Sequence, residues 1–398
     1  MVALMPAWGI ISAVGVFQTY ISEHQLEHVS LSMQSYIFSV YSFFAMGGSL
    51  VIGPFFDQYG GRSLMFIGGA LMVGGLIGAS FSSEVYEFIL SFGFALGIGT
   101  AFIICPNVSV INHYYVKKLG LMQGISELGG SVGGVLIPLM LRRLFVQVGW
   151  GWAMRVLALF SLVCVAIGIV VVKDRTEILN RGQPKLPIHK LFFKNFDKEQ
   201  LKDNTFIGLV VSVVPVEFSL LLVLTYLPSF AIAEGISESA SFMMIVVFAI
   251  SGLFGHIIPS LMADRYGRFN ALLVVSIFMS LFTFALWLPA QYYPKKLLGL
   301  YFFTILYGFF VAGSYSLLPA VIGQFSKVED AGKRFGLVYG FVALANLASL
   351  PIGSEILGDG DMDGYTHLII FSGSVCSAGV LAMLAFKYKM TKDLFAVL

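Results

Sequence analysis

The sequence has few charged residues and few cysteines, and each scarcity excludes a class of protein. Charged residues make up 12% of the 398 positions, about half of the roughly 25% that a soluble globular chain uses. The three cysteines stand singly inside apolar stretches, so no disulfide framework, zinc site or redox pair is predicted. The sequence has neither a phosphate-binding loop nor a basic run, which argues against ATP-driven pumping and nucleic-acid partners. No cofactor or metal is predicted.

Apolar residues, in contrast, make up 58% of the chain and form long continuous runs. A bilayer core needs about 20 apolar residues per helix, and the runs do not alternate as the strands of a membrane barrel would. The sequence therefore predicts an all-α integral membrane protein. The twelve predicted spans are 2–20, 33–55, 64–82, 87–112, 120–144, 153–172, 205–232, 240–262, 270–290, 297–320, 334–355 and 365–387.

A polar segment divides these spans six and six. The predicted domains are an N-terminal six-helix bundle, 1–172, a cytoplasmic linker, 173–204, and a C-terminal six-helix bundle, 205–398. Pro184 and Pro187 are expected to prevent a long helix in the linker. Placing both termini in the cytoplasm puts 19 of the 24 Lys and Arg residues on that side, as the positive-inside rule requires. The first span begins at the first residue and has Pro6 one turn in, so we expect a shortened helix.

A short polar motif follows the second apolar run of each half. The first copy is Asp57-Gln58-Tyr59-Gly60-Gly61-Arg62, and the second is Asp264-Arg265-Tyr266-Gly267-Arg268. The two aspartates are 207 positions apart, about half the chain length. Such a repeat indicates two parallel copies of one membrane module, which is how one large class of solute transporters is built.

Other segments carry a more specific resemblance. They are Gly15-Val16-Phe17-Gln18-Thr19-Tyr20, Gly120-Leu121-Met122-Gln123-Gly124, Gly149-Trp150-Gly151-Trp152-Ala153-Met154-Arg155 and Leu317-Leu318-Pro319-Ala320. In their order and spacing they resemble the major facilitator superfamily, and within it the fungal monocarboxylate-porter-like group. The resemblance implies a twelve-helix fold, a secondary or facilitative transporter and alternating access, with the solute bound between the two halves. It also implies the plasma membrane, with a vacuolar or other internal membrane as the alternative.

Two departures from that family bear on the solute. The first span lacks the acidic-Gly-Gly-aromatic motif of the family and the lysine of its proton-coupled animal members. In the eighth span, residues 241–263 include neither Asp nor Arg. Both departures count against proton-coupled lactate transport. A vitamin such as riboflavin, associated with fungal relatives, is therefore an alternative to a monocarboxylate.

The resemblance places Asp57 and Asp264 opposite the starts of the eleventh and fifth helices, near Gly332 and Gly120. A carboxylate at a helix N-terminus gains about 0.3–1 kcal/mol. We therefore predict a conformational latch, and the alternative is a plain polar turn in which glycines supply a positive φ. The residues of the predicted latch are Asp57, Gly60, Arg62, Asp264, Arg265, Gly267 and Arg268.

An ionisable side chain inside a membrane span is energetically unfavourable, so such a residue usually has a function or a partner side chain. Glu217, in the middle of the seventh span, is predicted to bind the solute or a coupling proton, and a structural hydrogen bond is the alternative. Arg155 either binds an anionic solute or pairs with Glu127, unless it anchors the helix at the interface. Glu127 with Gly129 and Gly133 is predicted to pack helices together, and a role of Glu127 in transport chemistry is the alternative.

Polar residues on the first, fourth, seventh and tenth helices complete the predicted site, because those helices line the cavity in this family. Amides, hydroxyls and aromatic rings suit a planar or amphipathic solute of low charge. The predicted partners are that small organic solute, protons and lipid, and we expect a monomer. A solute sensor with a transporter fold is the alternative function, and no catalytic set that would indicate an enzyme is present. The additional site residues are Gln18, Asn107, Ser109, Asn112, Tyr307, Ser314 and Tyr315.

Overall fold

The computed structural model describes residues 1–180, 186–193, 202–358, 361–393 and 396, and these residues form helices without a strand. The helices are α1 Leu4–Ser12, α2 Val14–Glu23, α3 Leu31–Gly47, α4 Ser49–Tyr59, α5 Gly61–Ala79, α6 Val85–Phe88, α7 Gly97–Ile111, α8 Leu119–Val171, α9 Thr176–Leu179, α10 Ile188–Phe193, α11 Asn204–Ala233, α12 Glu238–Tyr266, α13 Arg268–Phe282, α14 Lys296–Gln324, α15 Ala331–Leu357 and α16 Met362–Thr391. Two π-helical segments, Ile89–Leu96 and Thr283–Trp287, continue helical spans without a break. Pro184 lies outside the described residues, and Pro187 directly precedes α10.

Membrane-spanning helices account for most of the described chain. Ten helical stretches are long and apolar enough to cross a bilayer, and α1 with α2 forms an eleventh, bent by 52°. One of the ten is α8, a 53-residue helix that consists of two helices merged at Gly149, whose φ is 70°. With α8 counted as two spans, the described residues carry the twelve predicted spans.

The structure differs from the predicted spans at two places. The loop expected at 145–152 is helical except at Gly149, because a glycine can take the positive φ that turns the chain within one residue. The first span is bent at Ala13, where φ is −88° and ψ is 0°. Directly before the bend, the Ser12 hydroxyl donates to the carbonyl of Trp8, one turn earlier, at 3.0 Å, a bond of the type that bends helices.

Capping side chains set several helix starts. Asp203, Ser237 and Asp361 each accept a hydrogen bond from a backbone N–H in the first turn of α11, α12 and α16, respectively. Each bond satisfies a donor that has no partner within its own helix. The termini of these helices therefore follow from local sequence as well as from the apolar run.

Contacts divide the chain into two compact units. The first comprises residues 1–116, 126–197 and 326–343, and the second comprises 117–125, 198–325 and 344–398. In the first unit, α3 and α5 both pack on α7. In the second unit, α12 and α13 both pack on α14, while α11 packs on α16. The second and third spans of each half thus pack on the fourth, as expected for a repeated module. The division at 172 and 205 stays a prediction.

Candidate functional site

The first carboxylate clamp joins Asp57 to the start of α15. Asp57 lies in the last turn of α4 and is 5% exposed. Its carboxylate accepts hydrogen bonds from the backbone N–H groups of Gly332, at 2.8 Å, and Lys333, at 2.7 Å. Those donors are free at the first turn of a helix, and the helix dipole favours a negative charge there. We call this arrangement the first clamp.

The second clamp has the same chemistry in the other unit. Asp264, near the end of α12, accepts from the N–H groups of Gly120 and Leu121, both at 2.9 Å. These two residues open α8. Arg268 adds an ion pair, with 3.4 Å between its Nε and the Asp264 carboxylate. Both copies of the motif thus use one aspartate to bind two successive N–H groups at a helix N-terminus.

The first glycine of each clamped helix lies close to the aspartate-bearing helix. A Cβ on Gly332 would lie 2.6 Å from the carbonyl oxygen of Gly53, four residues before Asp57. A Cβ on Gly120 would lie 3.0 Å from the carbonyl oxygen of Ser260, the matching residue before Asp264. Side chains at these two positions would push the helix start away from the carboxylate.

A second glycine, one turn further along, extends each close approach. A Cβ on Gly336 would overlap the carbonyl oxygen of Ser49, and one on Gly124 would overlap that of His256. Ser49 and His256 lie eight residues before Asp57 and Asp264. Gly336 was not named from the sequence, and Gly124 was named only within a segment that resembles the family, although the Gly-x-x-x-Gly spacing of both helix starts is a known signal of close helix packing.

The other residues of the first motif hold neighbouring segments. Gly60, with φ of 79°, ends α4, and the N–H of Gly61 donates to the Asp174 carboxylate at 2.9 Å. Arg62 is exposed and donates to backbone carbonyls at the end of α8, including that of Ile169 at 3.2 Å. These contacts connect the turn after α4 to the chain that follows α8.

Two amide side chains, which the sequence analysis did not assign to the site, complete this region. The Gln58 amide both accepts from the N–H and donates to the carbonyl of Leu186, each at 2.9 Å. Asn180 donates to the backbone carbonyl of Asp57 at 2.5 Å. Both therefore attach residues of the predicted linker to the end of α4.

In the second motif, Gly267 takes a φ of 96° and ends α12. Arg265 is exposed, and its guanidinium lies 5.4 Å from the centre of the Tyr266 ring. Of the two arginines in this motif, Arg268 is therefore the one that contacts the clamp carboxylate.

Each unit has a histidine close to its clamp. His113 accepts at Nδ1 from the Arg175 N–H, at 3.3 Å, and its ring stacks on Phe56 with centres 5.3 Å apart. Burial lowers the pKa of His113, Asp174 opposes that shift and Arg175 adds to it. His256 is buried, with its Nδ1 2.7 Å from the Ser316 hydroxyl. It therefore links α12 to α14.

The predicted Glu217 site is a buried polar cluster inside the second unit. Glu217 is 4% exposed, and its Oε1 has no hydrogen-bond partner. Tyr307 of α14, 1% exposed, and Cys376 of α16 lie close enough to interact with it electrostatically. We call Glu217, Tyr307 and Cys376 the Glu217 cluster. Cys376 was not expected here, because single cysteines in apolar runs carried no signal.

The remaining polar site residues are distributed over both units. The Asn107 amide donates to the Ile103 carbonyl at 2.7 Å and to the Met65 sulfur at 3.6 Å. Ser109 and Asn112 are buried, and each has a side-chain oxygen without a partner. Gln18 is half-buried and donates to Ser35 at 3.4 Å. In the second unit, Ser314 is buried and Tyr315 half-buried on α14.

The other two charged residues named from the sequence have different surroundings. The Arg155 guanidinium lies 4.6 Å from the centre of the Phe81 ring and 5.1 Å from that of Trp152, a cation–π arrangement. Glu127 is buried and interacts with Trp8, although its Oε1 has no partner. These positions give no direct pairing of Arg155 with Glu127.

The two packing glycines face α1 and the residues just before it. A Cβ on Gly129 would overlap the carbonyl of Met1, and one on Gly133 would overlap that of Met5. Backbones approach this closely only where small residues allow it. Among the residues that the structure describes, no group of three or more metal-binding side chains could hold an ion.

Residues 1–305 match the family model of the Major Facilitator Superfamily. The chain belongs to this superfamily. Curated members similar to it include the riboflavin transporter MCH5 of Saccharomyces cerevisiae, 31% identical over 383 residues that cover 93% of this chain and 73% of the relative. The Agnestins efflux protein AgnL12 of Paecilomyces divaricatus is 32% identical over 386 residues, covering 97% and 85%. The chain is therefore a multi-pass membrane transporter of a small solute.

A solved structure of the superfamily has the same fold. The proton:xylose symporter XylE, solved with 6-bromo-6-deoxy-D-glucose bound, superposes with a TM-score of 0.74. The match covers 98% of this chain and 94% of that protein at 15% sequence identity. At this identity the likeness shows the twelve-helix fold and nothing about the solute.

Proposed function

We propose that this transporter moves a small organic solute by alternating access, as a secondary transporter or a facilitator. The paired clamps are the observation that carries the proposal. Each clamp joins a helix from one half of the sequence to a helix from the other half, through Asp57 with Gly332 and Asp264 with Gly120. A rocking motion of the sequence halves would break such contacts and later restore them.

The strength of each clamp suits a reversible contact. A carboxylate at a helix N-terminus contributes about 0.3–1 kcal/mol, and up to about 2 kcal/mol where it is partly buried. Since about 1.4 kcal/mol corresponds to a tenfold change in an equilibrium constant, one clamp favours the conformation in which it is formed by a factor of about 2 to 30. Differential binding of a solute can supply a free energy of this size. The clamps can thus favour one conformation without preventing the other.

The side chains at the predicted solute positions favour a neutral or weakly charged organic solute over a small monocarboxylate. Gln18, Asn107 and Asn112 are amides, and Tyr307 and Tyr315 are aromatic. A site for a monocarboxylate needs a cationic side chain that binds the carboxylate. The Arg155 guanidinium instead makes cation–π contacts with two aromatic rings. One similar protein is named a riboflavin transporter and another an efflux protein. We therefore place a riboflavin-like, planar solute first and a monocarboxylate second.

The proposal also includes the orientation of the chain in the membrane, the membrane in which it resides and its oligomeric state. The distribution of Lys and Arg puts both termini and both clamps on the cytoplasmic side. The plasma membrane is the proposed location, with an internal membrane such as the vacuole as the alternative. We propose that the protein works as a monomer, with each chain carrying its own solute site.

Uptake into liposomes tests the function directly. Purified protein would be reconstituted and given labelled riboflavin, labelled monocarboxylates and an agnestin, with protein-free liposomes as the control. We expect one compound to exchange across the membrane faster than in the control, and to do so in counterflow without an added energy source. A compound that binds saturably but never crosses would contradict transport and support a sensor.

A further inference from the structure

Glu217 is a carboxyl group buried without any compensating partner. Among the described residues, no hydrogen bond or ion pair is formed by its side chain, although it is 4% exposed. Removing an ionised carboxylate from water costs several kcal/mol unless good partners replace the water. The lack of a partner among the described residues therefore favours the protonated form of Glu217 in this conformation.

The helices packed on α11 supply no cation to Glu217. Tyr307 of α14 and Cys376 of α16 are the titratable groups that interact with it, and both are weak acids. The Tyr307 hydroxyl also lacks a hydrogen bond of good geometry, although Thr283 lies beside it. From α12, no described titratable side chain bonds to or pairs with Glu217. A negative charge at this position would be unbalanced.

The hydroxyls near Glu217 are used elsewhere. Ser219, two residues along α11, and Ser372 of α16 form a hydrogen bond with each other at 2.9 Å. Residues two apart on a helix face different sides, so Ser219 is not placed to be a partner of Glu217. The remaining donor close to Glu217 is the Tyr307 hydroxyl, which is available to a carboxylate that forms there later.

We propose that the Glu217 cluster is a proton site that is loaded in this conformation and releases its proton when the transporter changes conformation. On release, the carboxyl O–H bond breaks, the proton passes to water that enters beside α11, and the Tyr307 hydroxyl donates to the carboxylate. Reloading from the other side reverses these steps. The inference rests on the proposed function, because it makes solute movement depend on a proton gradient.

Two measurements on the reconstituted protein test the site. The first is infrared difference spectroscopy across alkaline pH, which follows the carbonyl stretch of protonated carboxyl groups. Wild type should show a band that disappears as the pH is raised. That band should be absent from Glu217→Gln and present in Glu127→Gln, a matched change of another buried glutamate within a span. The absence of any band that Glu217→Gln specifically removes would overturn the proposal, whether or not a solute is known.

The second measurement separates coupling from transport. Glutamine resembles a protonated glutamate in shape but cannot release a proton, so Glu217→Gln should impair gradient-driven accumulation far more than exchange in counterflow. Its gradient-driven accumulation should fall at least about tenfold. Accumulation equal to wild type would overturn the coupling role. If no tested compound moves in wild type, the proposed function or the choice of compounds has failed, and the infrared result still decides the proton site.

Discussion

Glycines determine how closely each clamped helix can approach its aspartate. At Gly336 and Gly124 an added methyl group would overlap a backbone carbonyl, which cannot move aside as a flexible side chain can. At Gly74 of α5, nothing lies within 4 Å of the position that a Cβ would take. Alanine should therefore destabilise the protein at Gly336 or Gly124, but not at Gly74.

We predict that Gly336→Ala lowers the thermal stability of the purified protein in detergent, whereas Gly74→Ala does not. Overpacking a close contact typically costs about 1–3 kcal/mol. Alanine in an open helical position is neutral or favourable, because its helix propensity exceeds that of glycine by about 1 kcal/mol. Thermal unfolding of the two variants beside wild type would check this. Equal melting temperatures for all three proteins would show that the contact at Gly336 relaxes without cost.

His113 gives the protein a pH-dependent stability. Its pKa is lowered chiefly by burial, whereas an exposed histidine has a pKa of about 6.5. Between those two values the unfolded chain binds more protons than the folded chain, so stability decreases as the pH falls below about 6.5. Protonation would also turn the Nδ1 acceptor into a donor facing the Arg175 N–H.

We predict that wild type loses more thermal stability than His113→Gln when the pH is lowered from about 7.5 to about 5.5. His189→Gln, at an exposed position of α10, should lose as much as wild type. Melting curves of the three proteins at both pH values would measure the difference. A parallel decrease in all three would assign the pH dependence to other groups.

The residues of the clamps differ in how far the sequence could predict them. Asp57 and Gly332 could be paired in advance, because a repeated motif and the family's helix order place a carboxylate opposite a helix start. His256 could not, because its partner Ser316 is 60 residues away and an isolated histidine in an apolar run has no local signal. The eighth span has no Asp or Arg that would mark it, yet its His256 is the residue that lies against Gly124. The position of Cys376 near Glu217 could not be predicted for the same reason, because an isolated cysteine in an apolar run has no local signal.

Helical elements were easier to predict than their irregularities. The length of an apolar run determines where a helix can cross a bilayer, so every helix from α11 to α16 except α13 begins and ends within four residues of its predicted span. α13 ends at Phe282, and a π-helical segment continues that span. The bend at Ala13 and the turn at Gly149 depend on backbone angles of single residues, which tertiary packing selects. Composition alone carries no such information.

Gln58 connects α4 to the chain that follows α8. We therefore expect it to hold the short helix α10 in place. Its amide makes two hydrogen bonds to Leu186, and the ring of Phe55 lies 5.2 Å from that of Phe192. Both contacts attach α10 and the residue before it to α4. No local pattern in the sequence indicates this role of Gln58, because its hydrogen-bond partner lies 128 positions away.

We predict that Gln58→Ala raises amide hydrogen exchange in 186–193 while leaving α11 unchanged. Each lost hydrogen bond contributes about 0.5–1.5 kcal/mol, so protection there should decrease about tenfold. Gln147→Ala, at an exposed position of α8, is the control. If exchange in 186–193 stays at the wild-type level, other contacts hold α10 in place.

In the proposed transport cycle, the rate at which the whole molecule changes conformation depends on the two clamp carboxylates, Asp57 and Asp264. Replacing Asp57 by asparagine keeps one acceptor oxygen but removes the charge that the helix start favours. The free energy lost is about 1 kcal/mol, which shifts the balance between conformations about fivefold. Since turnover requires both conformations, a shift in either direction slows the cycle.

We predict that Asp57→Asn lowers the maximum rate of solute counterflow about fivefold, with correct insertion and a nearly unchanged half-saturating concentration. Asp264→Asn should act in the same direction, because its carboxylate also accepts from two N–H groups at a helix start. Asp361→Asn is the matched control, since Asp361 caps only its own helix, through the Gly364 N–H. If the controls fold and both clamp variants turn over at the wild-type rate, the clamps are turns that end α4 and α12, and the free energy that separates the conformations must lie in other contacts.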